Sequence, residues 1–500
     1  MTENTQKQAY NRRQIVGLIL GPLLFIVTLQ FLSFPGMSAE AQAILASTLW
    51  IATWWVTEAI PIAATALLPI ILFPLTGGLE LGDTTSAYGD DIIFLFMGGF
   101  LIALGMERWN LHKRIALTII KMVGTGLNRL ILGFMIATAF LSMWISNTAT
   151  AMMMVPIGSA IIYKMRESAE TNASEVSQAE SDKFSKALML AIAYSASIGG
   201  LGTLIGTPPN ALFAGVVDNL FNVTVSFATW MMFGVPIVII LLTIAWFYLV
   251  KVAFRLDIDE FPGGKSVIDD EMKEIGSMST EEKFVLTVFS LTALAWISRS
   301  FILQDLLPGI DDAVIAITGA LILFLIPSKN KKGEFIMDWD TAKGLPWGIL
   351  LLFGGGLAIA AGFSDTGLAE WIGEQMTGLQ GLNFVLIVAI ITAIVILLTE
   401  ISSNTATATM LLPIMASLAS AIQVHPYSLM IAGALAASCA FMLPVATPPN
   451  AVVFGSGYLR IEDMAKAGLW LNVVAVIIIT AAIYLLLPLT FGLDLFNYPF

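Results

Sequence analysis

Runs of roughly 18 or more apolar residues recur along the whole of this chain, each long enough to cross a bilayer as a helix. The 500 residues are 57% hydrophobic and only 12% charged, against about 25% charged in a soluble domain. The expected fold is therefore an all-α polytopic membrane protein. The formal charge of -12 argues against nucleic acid as a partner, which would need a basic face. It does not imply an acidic channel, because most of the acids lie between the apolar runs.

Few residues carry reactive chemistry. Cys439 is the one cysteine, so the chain cannot form an internal disulfide or a cysteine metal cluster, and "AASCAF" reads as small-residue packing. His112 and His425 stand at segment ends, where a lone histidine is expected to be solvated. The start, "MTENTQKQAYNRRQIVG", shows no small-residue cleavage site after a short apolar core and is expected to be a cytoplasmic tail. With no nucleophile–base pair or metal-ligand cluster in the spans, an enzyme is not expected.

Charge sorts the connections. Lys and Arg gather at the N-terminus (Lys7, Arg12, Arg13) and at 108–129, 164–186, 251–283, 329–343 and 460–466. Stretches 77–91, 218–226, 304–311, 364–382 and 424–426, and the tail after 493, have none; Arg299 is the outlier. Basic connections stay in the cytoplasm, which puts the N-terminus inside and the C-terminus outside. The connections 108–129 and 164–186 are both basic, yet they flank two short apolar halves meeting at Ser146-Asn147-Thr148. Residues 364–382 and 424–426 flank a matching pair meeting at Ser403-Asn404-Thr405. Each pair reads as a re-entrant hairpin, the first entering from inside and the second from outside.

The hairpins belong to an internal repeat. "ISNTATAMMMVPI" begins at Ile145 and "ISSNTATATMLLPI" at Ile401. "FMGGF" at 96–100 and "FGGGL" at 353–357 keep the same offset as Asn147 and Asn404. Further on, "GTPPNA" at 206–211 answers "ATPPNA" at 446–451, the smaller offset being absorbed by an extra polar loop in the first half. An odd number of crossings between the copies would make the repeat inverted, with substrate held at the repeat interface. The expected division is a tail at 1–13, a first repeat at 14–255, a linker at 256–283 and a second repeat at 284–500.

Polar side chains in hydrocarbon are costly unless something uses them. At a Ser-Asn-Thr tip one helix ends in free carbonyls, which suit a cation, and another begins with free N–H groups, which suit an anion. Proline leaves upstream carbonyls free, so the spans at 187–217 and 427–458 are expected to break at Thr207–Asn210 and Thr447–Asn450. Four such elements would build one site with two cation pockets beside an anion. None of the motifs is basic, so the countercharge must come with the guest, and sodium, whose oxygen ligands can be neutral, is the natural candidate. Glu58 in "WWVTEAIP" and Glu400 in "LLLTEISSN" are intramembrane carboxylates. Position 143, the counterpart of Glu400, is methionine, which favours a hydrogen-bonded structural role for Glu400 over a proton-coupling one.

At these residues the chain resembles the divalent anion/sodium symporter family of di- and tricarboxylate and sulfate carriers, over almost its whole length. The resemblance implies a homodimer in a bacterial plasma membrane, about eleven transmembrane helices plus two re-entrant hairpins, and a transport domain moving as an elevator against a scaffold. It implies one sodium at Ser142, Ser146, Asn147 and Gly206 and a second at Thr399, Ser402, Asn404 and Ala446. Dicarboxylate oxygens would meet Asn147, Thr148, Ser403, Asn404 and Thr405, with Thr207, Pro208, Thr447 and Pro448 lining the site. Sodium-coupled import of C4-dicarboxylates such as succinate, malate and fumarate is the expected function. A sodium-independent dicarboxylate exchanger and a channel are the rivals.

Overall fold

The computed structural model describes residues 10–124, 126–170, 177–256 and 262–500. Among these residues there is no strand; an isolated antiparallel bridge joins Pro327 and Phe335. The first three helices are α1 (Arg12–Gln30), α2 (Ala39–Thr57) and α3 (Ile62–Thr76). Asn11 and Gln14 form a capping box that starts α1 at Arg12, and Ser38 caps α2. Arg13 is therefore a helical residue. The expected tail at 1–13 ends earlier, and its first nine residues lie outside those described.

Two series of helices follow in the same order. The first is α4 (Asp91–Arg108), α5 (Leu111–Val123), α6 (Leu127–Ser142), α7 (Asn147–Glu170), α8 (Gln178–Gly200), α9 (Pro208–Phe221) and α10 (Phe227–Phe247). After α11 (Pro262–Ile275), α12 (Thr280–Ser298) and α13 (Asp312–Leu325) comes the second. It comprises α14 (Trp347–Asp365), α15 (Leu368–Met376), α16 (Phe384–Thr399), α17 (Asn404–Ala421), α18 (Pro426–Ala437), α19 (Pro448–Gly455) and α20 (Ile461–Leu485). The match extends to amphipathic α5 and α15, which the apolar runs do not reveal. Asn110 and Gly367, at the shared offset, both adopt the left-handed conformation that turns the chain into these helices.

Among the described residues, six stretches are long and apolar enough to span alone: Arg12–Gln30, Leu81–Arg108, Phe227–Ala253, Thr280–Leu306, Trp347–Asp365 and Ile461–Leu485. A seventh, α15 with α16, is bent by 120°. Among the shorter apolar helices (Ile62–Thr76, Leu127–Ser142, Asp312–Leu325 and Pro426–Ala437), Leu127–Ser142 and Pro426–Ala437 are largely buried. Much of the chain thus lies in half-length helices separated by breaks.

The breaks fall upstream of where the prolines suggested. α8 stops at Gly200 and α9 starts at Pro208, while α18 stops at Ala437 and α19 starts at Pro448. Each Thr-Pro-Pro-Asn begins a helix instead of interrupting one, since proline is favoured where the missing N–H has no partner to lose.

Opposite charges join the polar connections. Lys113 meets Glu271 and Lys121 meets Asp269, both at 2.7 Å, and Arg114 meets Glu282 at 2.8 Å. These pairs bind α5 to α11 and to the start of α12, so the described part of the expected linker, 262–283, packs against the first series of helices. The histidines are also packed. His425 is 8% exposed and accepts from Tyr427 N, and burial pushes its imidazole down to about 4. His112 is partly buried beside the Met106 carbonyl, and burial lowers its pKa too.

Arg299, the outlier of the charge map, is 6% exposed. Its Nε lies 2.6 Å from Asp312 Oδ1, and Nη1 lies 3.5 Å from Asp311. Asp312 also accepts from Phe227 N at 3.0 Å, while its carbonyl accepts from Trp296 at 2.9 Å. This pair joins α10, α12 and α13 at one point. Removing one partner of a buried pair strands the other charge, at a cost of about 3–5 kcal/mol. Arg299→Ala is expected to lower the thermal unfolding midpoint in detergent sharply, and Arg299→Met with Asp312→Leu to recover most of the loss. A single variant as stable as the parent would refute the assignment.

Candidate functional site

At the first tip α6 ends at Ser142 and α7 begins at Asn147. Ser142 is fully buried; its hydroxyl lies 2.5 Å from Asn147 Oδ1 and 2.6 Å from the Ala196 carbonyl. One hydroxyl proton cannot serve both acceptors. With its amide turned end for end, Asn147 donates to Ser142 Oγ at 2.5 Å and to the Ala196 and Gly206 carbonyls at 3.2 Å each. With its oxygen on that side, four oxygens converge with too few protons among them, the donor set a small hard cation takes.

The second tip repeats the pattern. α16 ends at Thr399 and α17 begins at Asn404. Thr399 is fully buried, and its hydroxyl lies 2.7 Å from both Asn404 Oδ1 and the Ala437 carbonyl. The Ser402 hydroxyl donates to Leu398 O and shares a hydrogen bond with Thr407, both at 2.7 Å. Ser146 and Ser403 accept from Ala149 N and Ala406 N and so cap the helices behind the tips.

The two breaks are pinned by asparagines that were not singled out as site residues. Asn210 Nδ2 donates to the carbonyls of Gly200 at 3.0 Å and Thr203 at 2.8 Å. Asn450 Nδ2 donates to Ala440 at 3.1 Å and Leu443 at 3.0 Å. Both side chains are fully buried. Their fixed spacing after Thr-Pro-Pro was the available signal. Gly200 is required by close approach: a Cβ there would lie 2.9 Å from Asn147 Oδ1 and 3.0 Å from the Gly206 carbonyl.

All four elements meet around one cavity of about 390 Å³, within the usual size range of a small-molecule site. It is lined by Ser146, Asn147 and Thr148 from the first tip and by Ser402, Ser403, Asn404 and Thr405 from the second. Gly206, Thr207 and Pro208 line it from the first break, and Ala446, Thr447 and Pro448 from the second. Ser142 and Thr399 stand behind this wall. Thr207 Oγ1 and Ser438 Oγ, 3.1 Å apart, join the two breaks directly. The N-terminal ends of α7, α9, α17 and α19 border the cavity, so their dipoles add to a positive potential at its centre. Phe96, Phe100 and Ile349 close the apolar sides.

Two carboxylates and one guanidinium complete the surroundings. Glu400 is 4% exposed. It accepts from the backbone N–H groups of Phe441, Met442 and Leu443 at 2.8, 2.9 and 3.0 Å, and from Asn472 Nδ2 at 2.8 Å. Four donors make it an anchor for the second break. The first break has no such acid; there Thr203 donates to the Met143 carbonyl and Trp230 to that of Leu201. Glu58, in the left-handed conformation at the end of α2, lines the cavity. So does Arg13, a fixed positive charge that no motif contains.

The sodium:sulfate symporter transmembrane region family matches residues 13–490. The sodium-dependent dicarboxylate transporter SdcS of Staphylococcus saprophyticus is 51% identical over 492 residues, covering 98% of this chain and 94% of its own. SdcS of Staphylococcus aureus strain USA300 is 51% identical over 497 residues, covering 99% and 95%. Among solved structures, Neisseria gonorrhoeae MtrF, described as illuminating a class of antimetabolite efflux pumps, aligns with a TM-score of 0.55 at 13% identity over 95% of each chain. The Alcanivorax borkumensis YdaH transporter aligns with a TM-score of 0.58 at 13% identity, over 89% of this chain and 98% of its own. At that identity the likeness is one of fold alone, a multi-pass membrane transporter fold. The full-length match and these relatives agree: the chain belongs to the sodium:sulfate symporter family.

Proposed function

We propose that this protein imports C4-dicarboxylates such as succinate, malate and fumarate across the bacterial plasma membrane, coupled to sodium, by alternating access. The observation that carries the reading is the meeting of both Ser-Asn-Thr tips and both breaks around one cavity. The relatives' names, sodium-dependent dicarboxylate transporters, supply the substrate class and the coupling ion.

In this reading the helix N-termini, with Asn147, Thr148, Ser403, Asn404 and Thr405, hold the two carboxylates. Thr207, Pro208, Thr447 and Pro448 shape the walls. One sodium sits where Ser142, Ser146, Asn147 and Gly206 converge, and the second at Thr399, Ser402, Asn404 and Ala446. Each asparagine serves both guests, because an amide oxygen turned to the cation turns its nitrogen toward the anion. Sodium and dicarboxylate then raise each other's affinity by the same factor, which is the thermodynamic content of coupling. The basic connections lie in the cytoplasm, with the N-terminus inside and the C-terminus outside. Two inverted repeats, 14–255 and 284–500, supply the hairpins, and a homodimer provides the scaffold for an elevator motion.

Reconstituted into proteoliposomes, the protein is expected to accumulate labelled succinate only under an inward sodium gradient. Sodium-independent exchange of internal for external succinate would identify the exchanger instead. Asn147→Ala and Asn404→Ala are each expected to abolish uptake while leaving insertion and thermal stability intact, and normal uptake in either would overturn the site. Gly200→Ala presses a methyl group on the Asn147 amide. An overpacking cost of roughly 1.4 kcal/mol is about tenfold in affinity, so the sodium concentration for half-maximal uptake should rise by about that factor. An unchanged sodium curve would remove Gly200 from the first cation site.

A further inference from the structure

We propose that Arg13 is a positioning residue: it latches the second tip to the α1–α2 pair and so favours the arrangement in which the cavity opens at the Arg13 end. The inference rests on the alternating-access reading above. Its basis is a single guanidinium shared by two helix ends. Arg13 Nη2 donates to the carbonyl of Val56, at the end of α2, and to that of Ile401, 3.0 Å away in the second tip. Gln14 Nε2 donates to the Glu58 carbonyl at 3.1 Å. The capping box at Asn11 and Gln14 fixes the helical turn that carries all of this.

The bonds belong to different classes of motion. α1 and α2 pack closely along their lengths: Trp54 donates to the Gly17 carbonyl at 2.9 Å, and a Cβ on Gly21 would fall 2.7 Å from Trp50. The bonds to Val56 and Glu58 are thus internal to one unit and survive any displacement of the hairpin. The bond to Ile401 joins that unit to α16–α17, and it must break if the tip moves. Carbonyls at a helix C-terminus favour a cation, and α2 has no basic residue in its own last turn.

The two tips differ in how they are seated. Trp144, the counterpart of Ile401, is 8% exposed and stacks with Trp296 and Phe227. Ile401 is 56% exposed, with little apolar contact to hold it in place. The second tip therefore depends on a polar tether. That tether ends two residues from Thr399 and one from Ser402, so releasing it frees the backbone of the second cation site.

The test uses Val445→Cys as a reporter, because Val445 lines the cavity and is 83% exposed, while the native Cys439 is fully buried. Reaction with a membrane-impermeant maleimide is timed from each face of oriented membrane vesicles, in Val445→Cys alone and with Arg13→Gln or Arg13→Lys. A charge-assisted hydrogen bond lost from one state only should shift the ratio of the two rates by about tenfold, toward the face opposite Arg13. Arg13→Lys should lie between, since an ammonium lacks the planar fork; it also carries the test if Arg13→Gln folds poorly. Unchanged ratios in both variants overturn the latch. So does a raised half-saturation for succinate with unchanged labelling, which would make Arg13 a direct substrate contact. A reporter reactive from one face only, with or without sodium and succinate, would overturn alternating access itself.

Discussion

Everything in this structure depends on backbone groups left unpaired deep inside an apolar bundle. Water is not available there to satisfy them, so each break needs a partner from the protein or from a guest. At both breaks the protein supplies one through Asn210 and Asn450, whose amides each bind two carbonyls. At the tips it supplies only part. At Thr399 a single hydroxyl proton faces two acceptors, and at Ser142 it does so when the Asn147 amide presents its oxygen. In the proposed reading, the shortfall of donors behind the tips suits a cation and the free N–H groups in front of them suit an anion.

In that reading, coupling needs no titrating residue. An arginine in direct contact with the anion would bind it whether or not sodium were present. Neutral ligands make each guest conditional on the other, and the reciprocity follows from linkage. Arg13 does not weaken this logic, because two carbonyls already engage its guanidinium. Its charge is committed to the geometry of a tip.

The two halves are copies in plan and different in detail. Glu400 holds the second break through three backbone N–H groups and Asn472, where the first break relies on Thr203, Trp230 and tighter glycine packing. Ile401 is tethered by a side chain from α1, where Trp144 is wedged among aromatic rings. Two halves secured by different chemistry respond differently to the same displacement, which suits the alternating access proposed above.

The apolar runs, the duplicated Ser-Asn-Thr and Thr-Pro-Pro-Asn motifs and the fixed offset between them were enough to specify a helical membrane protein with four interrupted elements, because hydropathy and helix-breaking chemistry are local properties of a chain. The helix pair α5 and α15 was hidden, since amphipathic segments carry no long apolar run, although Asn110 and Gly367 marked it. The extent of the breaks was misplaced, because proline at the start of a helix and proline inside one look alike until the upstream carbonyls are seen. The tertiary structure alone decided which backbone groups Glu400 anchors, that Asn210 and Asn450 pin the breaks, and that Arg13 reaches a carbonyl 388 residues away. Such contacts join groups from distant parts of the chain, and neither composition nor periodicity encodes which distant helix ends will meet.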